Sequence, residues 1–328
     1  MLVIDRIYVK EEINEEVLIE LINSQSMQRL KDISQHGMPE EYYYKPTFTR
    51  LEHSLGVLIL LRRLGADLKE QIVGLLHDVS HTAFSHLVDW VLGDPYKENF
   101  QDESHLEIIK NSELPEILRK YGYDYREIAD VGTYSLLERE APFLCADRID
   151  YTLRDALVTG VRFDLELILK HLINYKGKIV FDSAKAAKSF SDIYVKFQRE
   201  DWGGDISKVY WHFLSDILKE ALHKKIIYEK DFWTTDHKII QNLLESGDEN
   251  IIKKIKALQK GLKFEDSSSS QEAILLKSKF RYIDPEILVN NELKRLSELS
   301  REYREIIEKE KSEYNTPKRV MIFPKELK

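Results

Sequence analysis

Apolar residues recur along this chain at helical spacing. Val17, Leu18, Leu21 and Ile22 form one stripe, and Leu51, Leu55, Leu58 and Ile59 a second. Ile72, Leu75, Leu76 and Val79 form a third, and Leu165, Ile168, Leu169 and Leu172 a fourth. Steps of three and four residues put such side chains on one face of an α-helix. Residues 206–227 read as one long helix and residues 293–311 as another, the latter heavily charged. Strand signals are few. Lys178–Phe181 follows a Lys-Gly turn, Phe280–Ile283 precedes Asp284-Pro285, and Arg319–Phe323 lies between Pro317 and Pro324. The pattern predicts a mainly α fold, a helical bundle with a small β element in the C-terminal part.

Two stretches break the periodicity. Residues 39–46 hold three tyrosines and two glutamates between prolines and read as a loop before the Leu51 stripe. Asp266–Gln271, with four consecutive serines, reads as a flexible linker. It divides the chain into a helical body over residues 1–264, a serine-rich loop over 265–271 and a C-terminal segment over 272–328. No internal repeat and no G-x-x-x-x-G-K phosphate loop occurs.

Composition narrows the class. The 328 residues are 43% hydrophobic, enough for a substantial core, and the net charge is −8. An acidic balance argues against a nucleic-acid track, which usually carries a basic excess. Cys145 is the single cysteine, so no disulfide framework can form and a reducing, cytoplasmic location is expected. The start, Met1-Leu-Val-Ile-Asp-Arg-Ile7, is too short and charged for a signal peptide, and the longest apolar run, Val57–Leu61, is far below a membrane span.

The chemistry concentrates in one region. Six of the ten histidines fall between His36 and His105. His77-Asp78 sets an imidazole and a carboxylate side by side, with His53 upstream and Asp147 downstream. Two nitrogens and two oxygens suit a divalent metal left open to water, and this points to metal-assisted hydrolysis of a phosphate ester. His77 and His81 are four apart, which on a helix places them on one face. His86 and Asp89, three apart, offer a dyad for proton transfer, and His105 is near enough to fold back on the same site. His171, His212, His223 and His237 stand alone and read as structural or surface residues.

These pieces resemble the HD-domain phosphohydrolases, most of all the branch holding bacterial dGTPases and the SAM-and-HD-domain dNTP triphosphohydrolases. Gln28–Gln35 resembles Q-R-L-x-x-I-x-Q, and Arg50–Val57 resembles R-F-E-H-S-L-G-V. His77–His86 resembles H-D-x-x-H-x-P-F-S-H, and Asp147–Tyr151 resembles D-x-x-D-Y. The resemblance is specific over residues 1–160 and loose beyond, where Arg281–Pro285 is the best later candidate. It implies an HD-domain helical bundle with His53, His77, Asp78 and Asp147 as metal ligands. Catalytic roles fall to His81, His86, Asp89 and His105, and substrate contacts to Gln35, Arg50, Arg148 and Tyr151. It implies one divalent transition metal (Mn, Fe, Zn, Ni or Co), with Mg as a further ion bridging substrate phosphates, and a dimeric or tetrameric homo-oligomer. The chain also departs from the pattern. His105 is followed by Leu106 where relatives carry Glu, which leaves Glu103 and Glu107 as nearby substitutes. A phosphate-side arginine corresponds to Asp216 and a base-stacking tyrosine to Leu222.

The function this implies is a metal-dependent nucleotide phosphohydrolase, first a (deoxy)nucleoside triphosphate triphosphohydrolase. The alternatives are a nucleoside mono- or diphosphate or cyclic-nucleotide phosphohydrolase, and a nucleotide-sensing module without turnover. No membrane partner is expected.

Overall fold

The computed structural model describes residues 1–94, 97, 99–267, 270, 273–276, 280–313 and 317–325. Its centre is a trio of helices, each begun by a recognisable signal or close contact. Thr49 starts the helix Arg50–Arg63 through a capping box: Glu52 N donates to Thr49 Oγ1 at 3.2 Å, and Thr49 N donates to Glu52 Oε2 at 2.9 Å. Asp67 caps the helix Leu68–Leu76 by accepting from Glu70 N at 2.8 Å. The third helix, Ala146–Val158, crosses the first closely enough to require a glycine. A Cβ at Gly56 would lie 2.0 Å from Asp150 Oδ1 and 2.1 Å from Arg154 Nη2. Gly74 serves the other crossing, where a Cβ would fall 2.2 Å from Leu61 Cδ1.

Two apolar clusters hold the molecule. One gathers Val57, Leu58, Leu61, Ile72, Leu75, Leu76, Ile149 and Leu153 around the trio. The other joins Ala83, Phe84, Leu87 and Val88 to the helices Asp205–His223, Asp236–Leu244 and Glu249–Lys260. The chain between His77 and Asp89 passes from the first cluster to the second, so its polar side chains collect at the junction.

Three small sheets among the described residues complete the fold. An N-terminal hairpin pairs Leu2–Asp5 with Val9–Glu12. The strands Leu172–Tyr175 and Lys178–Phe181 form a second hairpin, which joins Glu286–Val289 and Glu292–Arg295 through a parallel pairing of Phe181 with Ile287. The strand expected over Arg319–Phe323 is Lys318–Pro324, and it lies between Leu262–Asp266 and Ile274–Leu276. Asp266 thus ends a strand and Ser267 N donates to Arg319 O at 2.9 Å. Ser268, Ser269 and Gln271 of the serine-rich stretch lie outside the described residues.

Several expected elements differ. Phe280–Ile283 is not a strand, because its backbone and its neighbours' polar groups go elsewhere. Tyr303 Oη donates to Ile283 O at 2.7 Å, Asp284 N donates to Pro142 O at 2.8 Å, and Pro285 has no N–H. The strand begins after it, at Glu286. The helix expected over 293–311 is preceded by the strand Glu292–Arg295. Asn290 and Asn291, at φ 50° and 67°, make the tight turn that folds this strand back on Glu286–Val289. Helix follows as Leu296–Leu299 and Arg301–Glu313, broken at the extended Ser300. The helix before His77 stops at Leu76, so His77 and His81 do not share a helical face. The long helix over 206–227 is Asp205–His223.

Candidate metal centre and active site

His53 projects from the first turn of Arg50–Arg63, His77 caps the end of Leu68–Leu76, and Asp147 stands in the first turn of Ala146–Val158. The glycine-mediated crossings therefore bring three helix ends to one point. His53 Nε2 lies 3.3 Å from His77 Nε2 and 2.9 Å from Asp147 Oδ1, and His77 Nε2 lies 3.7 Å from the same oxygen. Donor atoms around an ion bound at about 2.1 Å sit roughly 3 Å apart when adjacent, so the spacing fits. The other ring nitrogens are already engaged. His53 Nδ1 faces Asp150 Oδ2 at 2.7 Å, and His77 Nδ1 faces Gly74 O at 2.7 Å. With Nδ1–H donating outward, both Nε2 lone pairs converge on one point, as in metal-bound imidazoles. His53, His77 and Asp147 form a group whose donor atoms all fall within 4.8 Å of one another.

Asp78 flanks this group. Its Oδ1 lies 3.5 Å from His77 Nε2 and its Oδ2 3.8 Å from His53 Nε2. Oδ2 also receives Arg50 Nη1 at 2.7 Å, and Oδ1 receives His81 Nε2 at 3.2 Å. The electrostatics demand positive charge here. Burial opposes a charged His53, but the hydrogen bonds to Asp147 and Asp150 outweigh it and raise its pKa to about 9. Burial likewise opposes charge on His77, and the carboxylates of Asp78 and Asp147 lift it. Against its own desolvation, Asp78 is held well below the usual carboxylate range by Arg50, His77 and His81.

The remaining expected residues divide into two groups. Near the cluster, His81 is buried and neutral: burial, then the charge of Arg50, pushes its pKa well down. Its ring meets that of His86 edge-on with centroids 4.8 Å apart. His86 and Asp89 share the short helix Ser85–Trp90, with Nδ1 and Oδ2 3.8 Å apart, looser than a hydrogen bond. Asp89 Oδ1 instead accepts from Phe100 N at 3.0 Å. His105 comes in from the helix Phe100–Lys110, and burial followed by the charge of His77 lowers it to about 4. Arg50 does not reach out of the protein. It is buried, holding Asp78, Ser85 Oγ at 3.0 Å and the Gln35 carbonyl at 3.3 Å.

On the other side, Gln35 has a buried Oε1 without a hydrogen-bond partner among the described residues. The Tyr151 ring packs edge-on against Trp202 at 5.1 Å and lies 6.4 Å from the His53 ring. Arg148 turns away from the cluster. Its Nη1 donates to the carbonyls of Phe143 at 2.6 Å and Arg139 at 3.1 Å and meets Cys145 Sγ at 3.1 Å. Its Nη2 lies 3.7 Å from Glu138, whose carboxyl is pushed up to about 7 by burial and the charge of Asp147. Glu138, Cys145 and Asp147 form a second close group, but the Arg148 guanidinium already supplies a positive charge there.

The sequence reading missed residues that hold these groups in place. Asp150, inside the quoted D-x-x-D-Y element, anchors His53 and is itself gripped by Arg154 at 2.9 and 3.0 Å. Arg154 also reaches Asp5 of the N-terminal hairpin at 2.9 Å. Asp236 accepts from Ser34 N and Phe84 N at 2.8 and 2.7 Å, tying the Gln35 and His86 segments together. Asp102, on the first turn of the His105 helix, lies within electrostatic reach of His86, Asp78, Asp89 and Asp147. It stands where Glu103 and Glu107 had been the expected acidic substitutes. Lys45, His36, Trp202 and Tyr44 bind Asp155 and Asp201 in a buried network beyond Tyr151.

A family model for the HD domain matches residues 50–140, which hold His53, His77 and Asp78. The uncharacterised protein YdhJ of Bacillus subtilis is 36% identical over 293 residues, 88% of this chain and 90% of that protein. The metal-dependent phosphohydrolase cns2 of Cordyceps militaris is 33% identical over 241 residues, 71% of this chain and 70% of that protein. The deoxynucleoside triphosphate triphosphohydrolase SAMHD1 of Gallus gallus is 31% identical over 128 residues, but only 32% of this chain and 21% of that protein align. The crystal structure of a hypothetical protein from Aquifex aeolicus superposes with a TM-score of 0.72 at 21% identity, covering 99% of this chain and 96% of that one. That of a phosphohydrolase from Bacteroides thetaiotaomicron does so with 0.71 at 16%, covering 99% and 100%. Both show the same fold. With a His-Asp cluster able to hold a metal, and relatives aligned over most of their length, this chain belongs to the HD-domain metal-dependent phosphohydrolases, enzymes that hydrolyse phosphate esters.

Proposed function

We propose that the substrate is a nucleotide, and that the version with a single phosphoryl group at the cluster, a nucleoside monophosphate, fits the geometry best. The observation that carries this is where the basic side chains go. Arg50 is held by Asp78, Arg148 by backbone carbonyls, Arg154 by Asp150 and Asp5, and Lys45 by Asp155 and Asp201. A chain of three phosphates needs cations along its length, and these four are already engaged. The triphosphohydrolase version is the second reading, supported by the short alignment with SAMHD1.

A divalent ion held by His53, His77, Asp147 and Asp78 would lower the pKa of water and polarise a phosphoryl oxygen. The protein's own groups do the rest. Arg50 keeps Asp78 ionised and fixed. His81, neutral and buried, faces the same carboxylate. His86, the most accessible of the three neighbouring imidazoles, is placed to hand a proton to the leaving oxygen, with Asp89 and Asp102 beside it. Tyr151 and the unpaired Gln35 Oε1 form the side facing the nucleoside. The assembly we expect is a homo-oligomer, which light scattering coupled to size exclusion tests.

A panel of nucleoside mono-, di- and triphosphates and a cyclic nucleotide, each with Mn²⁺, Fe²⁺, Zn²⁺, Ni²⁺, Co²⁺ or Mg²⁺, decides the substrate. Release of inorganic phosphate from monophosphates supports the first reading. Release of intact triphosphate supports the second, and tight nucleotide binding without turnover by any metal would point to a sensor instead.

A further inference from the structure

His105 presents one ring nitrogen to the protein and leaves the other without a partner among the described residues. Nδ1 lies 2.7 Å from Ser80 Oγ, whereas Nε2 is buried and unpaired among the described residues, in a residue only 5% exposed. Ser80 is fully buried in the turn that follows His77-Asp78. Which way the proton runs between Ser80 and His105 is set by a third residue. The Gln101 side chain approaches the His77 carbonyl at 2.9 Å. A carbonyl only accepts, so the atom of Gln101 that faces it is the amide NH₂. That same nitrogen lies 3.0 Å from Ser80 Oγ, and the serine oxygen therefore accepts from it.

The serine hydrogen then has two destinations. Gln101 O is 3.5 Å away, at the limit of a hydrogen bond, and His105 Nδ1 is 2.7 Å away. The short contact takes it. Ser80 donates to Nδ1, Nδ1 is the acceptor, and the ring proton sits on Nε2.

We propose that Ser80, oriented by Gln101, is a positioning residue that fixes His105 as its Nε2–H tautomer, so that the ring offers a neutral N–H donor to an oxygen of the substrate phosphate. A buried N–H without an acceptor is costly, and an anionic phosphoryl oxygen would satisfy it. In this arrangement His105 does not act as a base. It stabilises charge while His86 handles the leaving group. The identity of the acceptor rests on the phosphohydrolase reading, but the tautomer does not.

The test separates the two. Long-range ¹H–¹⁵N correlation spectra of the full-length protein labelled at histidine nitrogens, assigned by comparison with His105→Gln, report the tautomer without any turnover. Nε2–H in the wild type, replaced by a mixture or by Nδ1–H in Ser80→Ala and Gln101→Met, supports the proposal. Nδ1–H in the wild type, or an unchanged tautomer in both variants, overturns it. With the substrate found by the nucleotide panel, Ser80→Ala should lower kcat about 10-fold with little change in KM, and Ser80→Thr should recover most of it. If no nucleotide is hydrolysed, the functional reading fails while the spectra still decide the tautomer.

Discussion

His53 is gripped from behind by Asp150, whose Oδ2 lies 2.7 Å from the ring Nδ1, one helix crossing away. Both side chains are fully buried, and Arg154 neutralises the carboxylate from the next turn. The pair does for His53 what the Gly74 carbonyl does for His77: it sets the tautomer and aims Nε2 at the cluster. Asp150→Ala should therefore weaken metal binding about 10- to 100-fold. It should also destabilise the fold by about 3–5 kcal/mol, because Arg154 would lose a buried partner. Metal titration and urea unfolding of the same preparation measure both. Loss of stability with unchanged metal affinity would show that Asp150 serves only the fold.

Gly56 makes that contact possible. A methyl group there would overlap Asp150 Oδ1 and Arg154 Nη2 at 2.0 and 2.1 Å, two groups fixed by each other. At Gly74 the clash, 2.2 Å, is with Leu61 Cδ1 at the end of a side chain that can rotate. Gly56→Ala should cost more stability than Gly74→Ala, on the scale of about 1–3 kcal/mol for overpacking, and should lower metal affinity as well. Thermal unfolding with and without metal compares them directly. Equal losses at the two sites would argue that the Asp150–Arg154 pair can shift.

Two of the three helices at the heart of the fold, Arg50–Arg63 and Leu68–Leu76, were legible because their apolar stripes are local signals. His53, His77-Asp78 and Asp147 were legible as motifs, and the helix crossings bring donor atoms of His53, His77 and Asp147 within 4.8 Å of one another. What was not legible depends on groups distant in sequence. The Asn290-Asn291 turn carries no apolar pattern, and only pairing with Glu286–Val289 makes a strand of Glu292–Arg295, where the periodicity predicts helix from Leu293 on. Arg50 and Arg148 read as cations for a phosphate. In the structure one meets Asp78 and the other the Arg139 and Phe143 carbonyls, contacts made by packing that no spacing rule describes.

Asp236 gives a pH dependence of known sign. Burial raises its carboxyl from 3.8 to about 6, partly offset by the Phe84 and Ser34 amides. A group whose pKa is higher folded than unfolded binds its proton more readily in the native state, so its penalty is full above pH 6 and is relieved as pH falls toward 4. The size is of order 3 kcal/mol for a shift of about two units. In urea unfolding between pH 7 and 4.5, Asp236→Asn should be less stable than the wild type at pH 4.5, having lost one acceptor, and the gap should narrow toward pH 7. Its stability should also lack the upward contribution on acidification that the wild type shows. Parallel curves for the two proteins would mean that Asp236 does not titrate in this range.

Asp78 and Asp147 should separate when metal and chelator are compared. The Asp78 side chain is 6% exposed and braced by Arg50 and His81, whereas that of Asp147 is 25% exposed and touches the His53 and His77 imidazoles. In chelator, Asp78→Ala leaves the Arg50 guanidinium buried without its carboxylate and should lose about 3–5 kcal/mol. Asp147→Asn keeps the shape of the side chain and should lose less. Adding a divalent ion at 100 times its dissociation constant should stabilise the wild type by about 2.7 kcal/mol. The same concentration should leave Asp147→Asn nearly unmoved, because the carboxylate charge beside His53 Nε2 is replaced by a neutral amide. Differential scanning calorimetry across the metal series reads all of this. If Asp147→Asn gained as much from the ion as the wild type, Asp147 would not be a ligand, and the ion would have to be held by His53, His77 and Asp78 with Arg50 still bound to the same carboxylate.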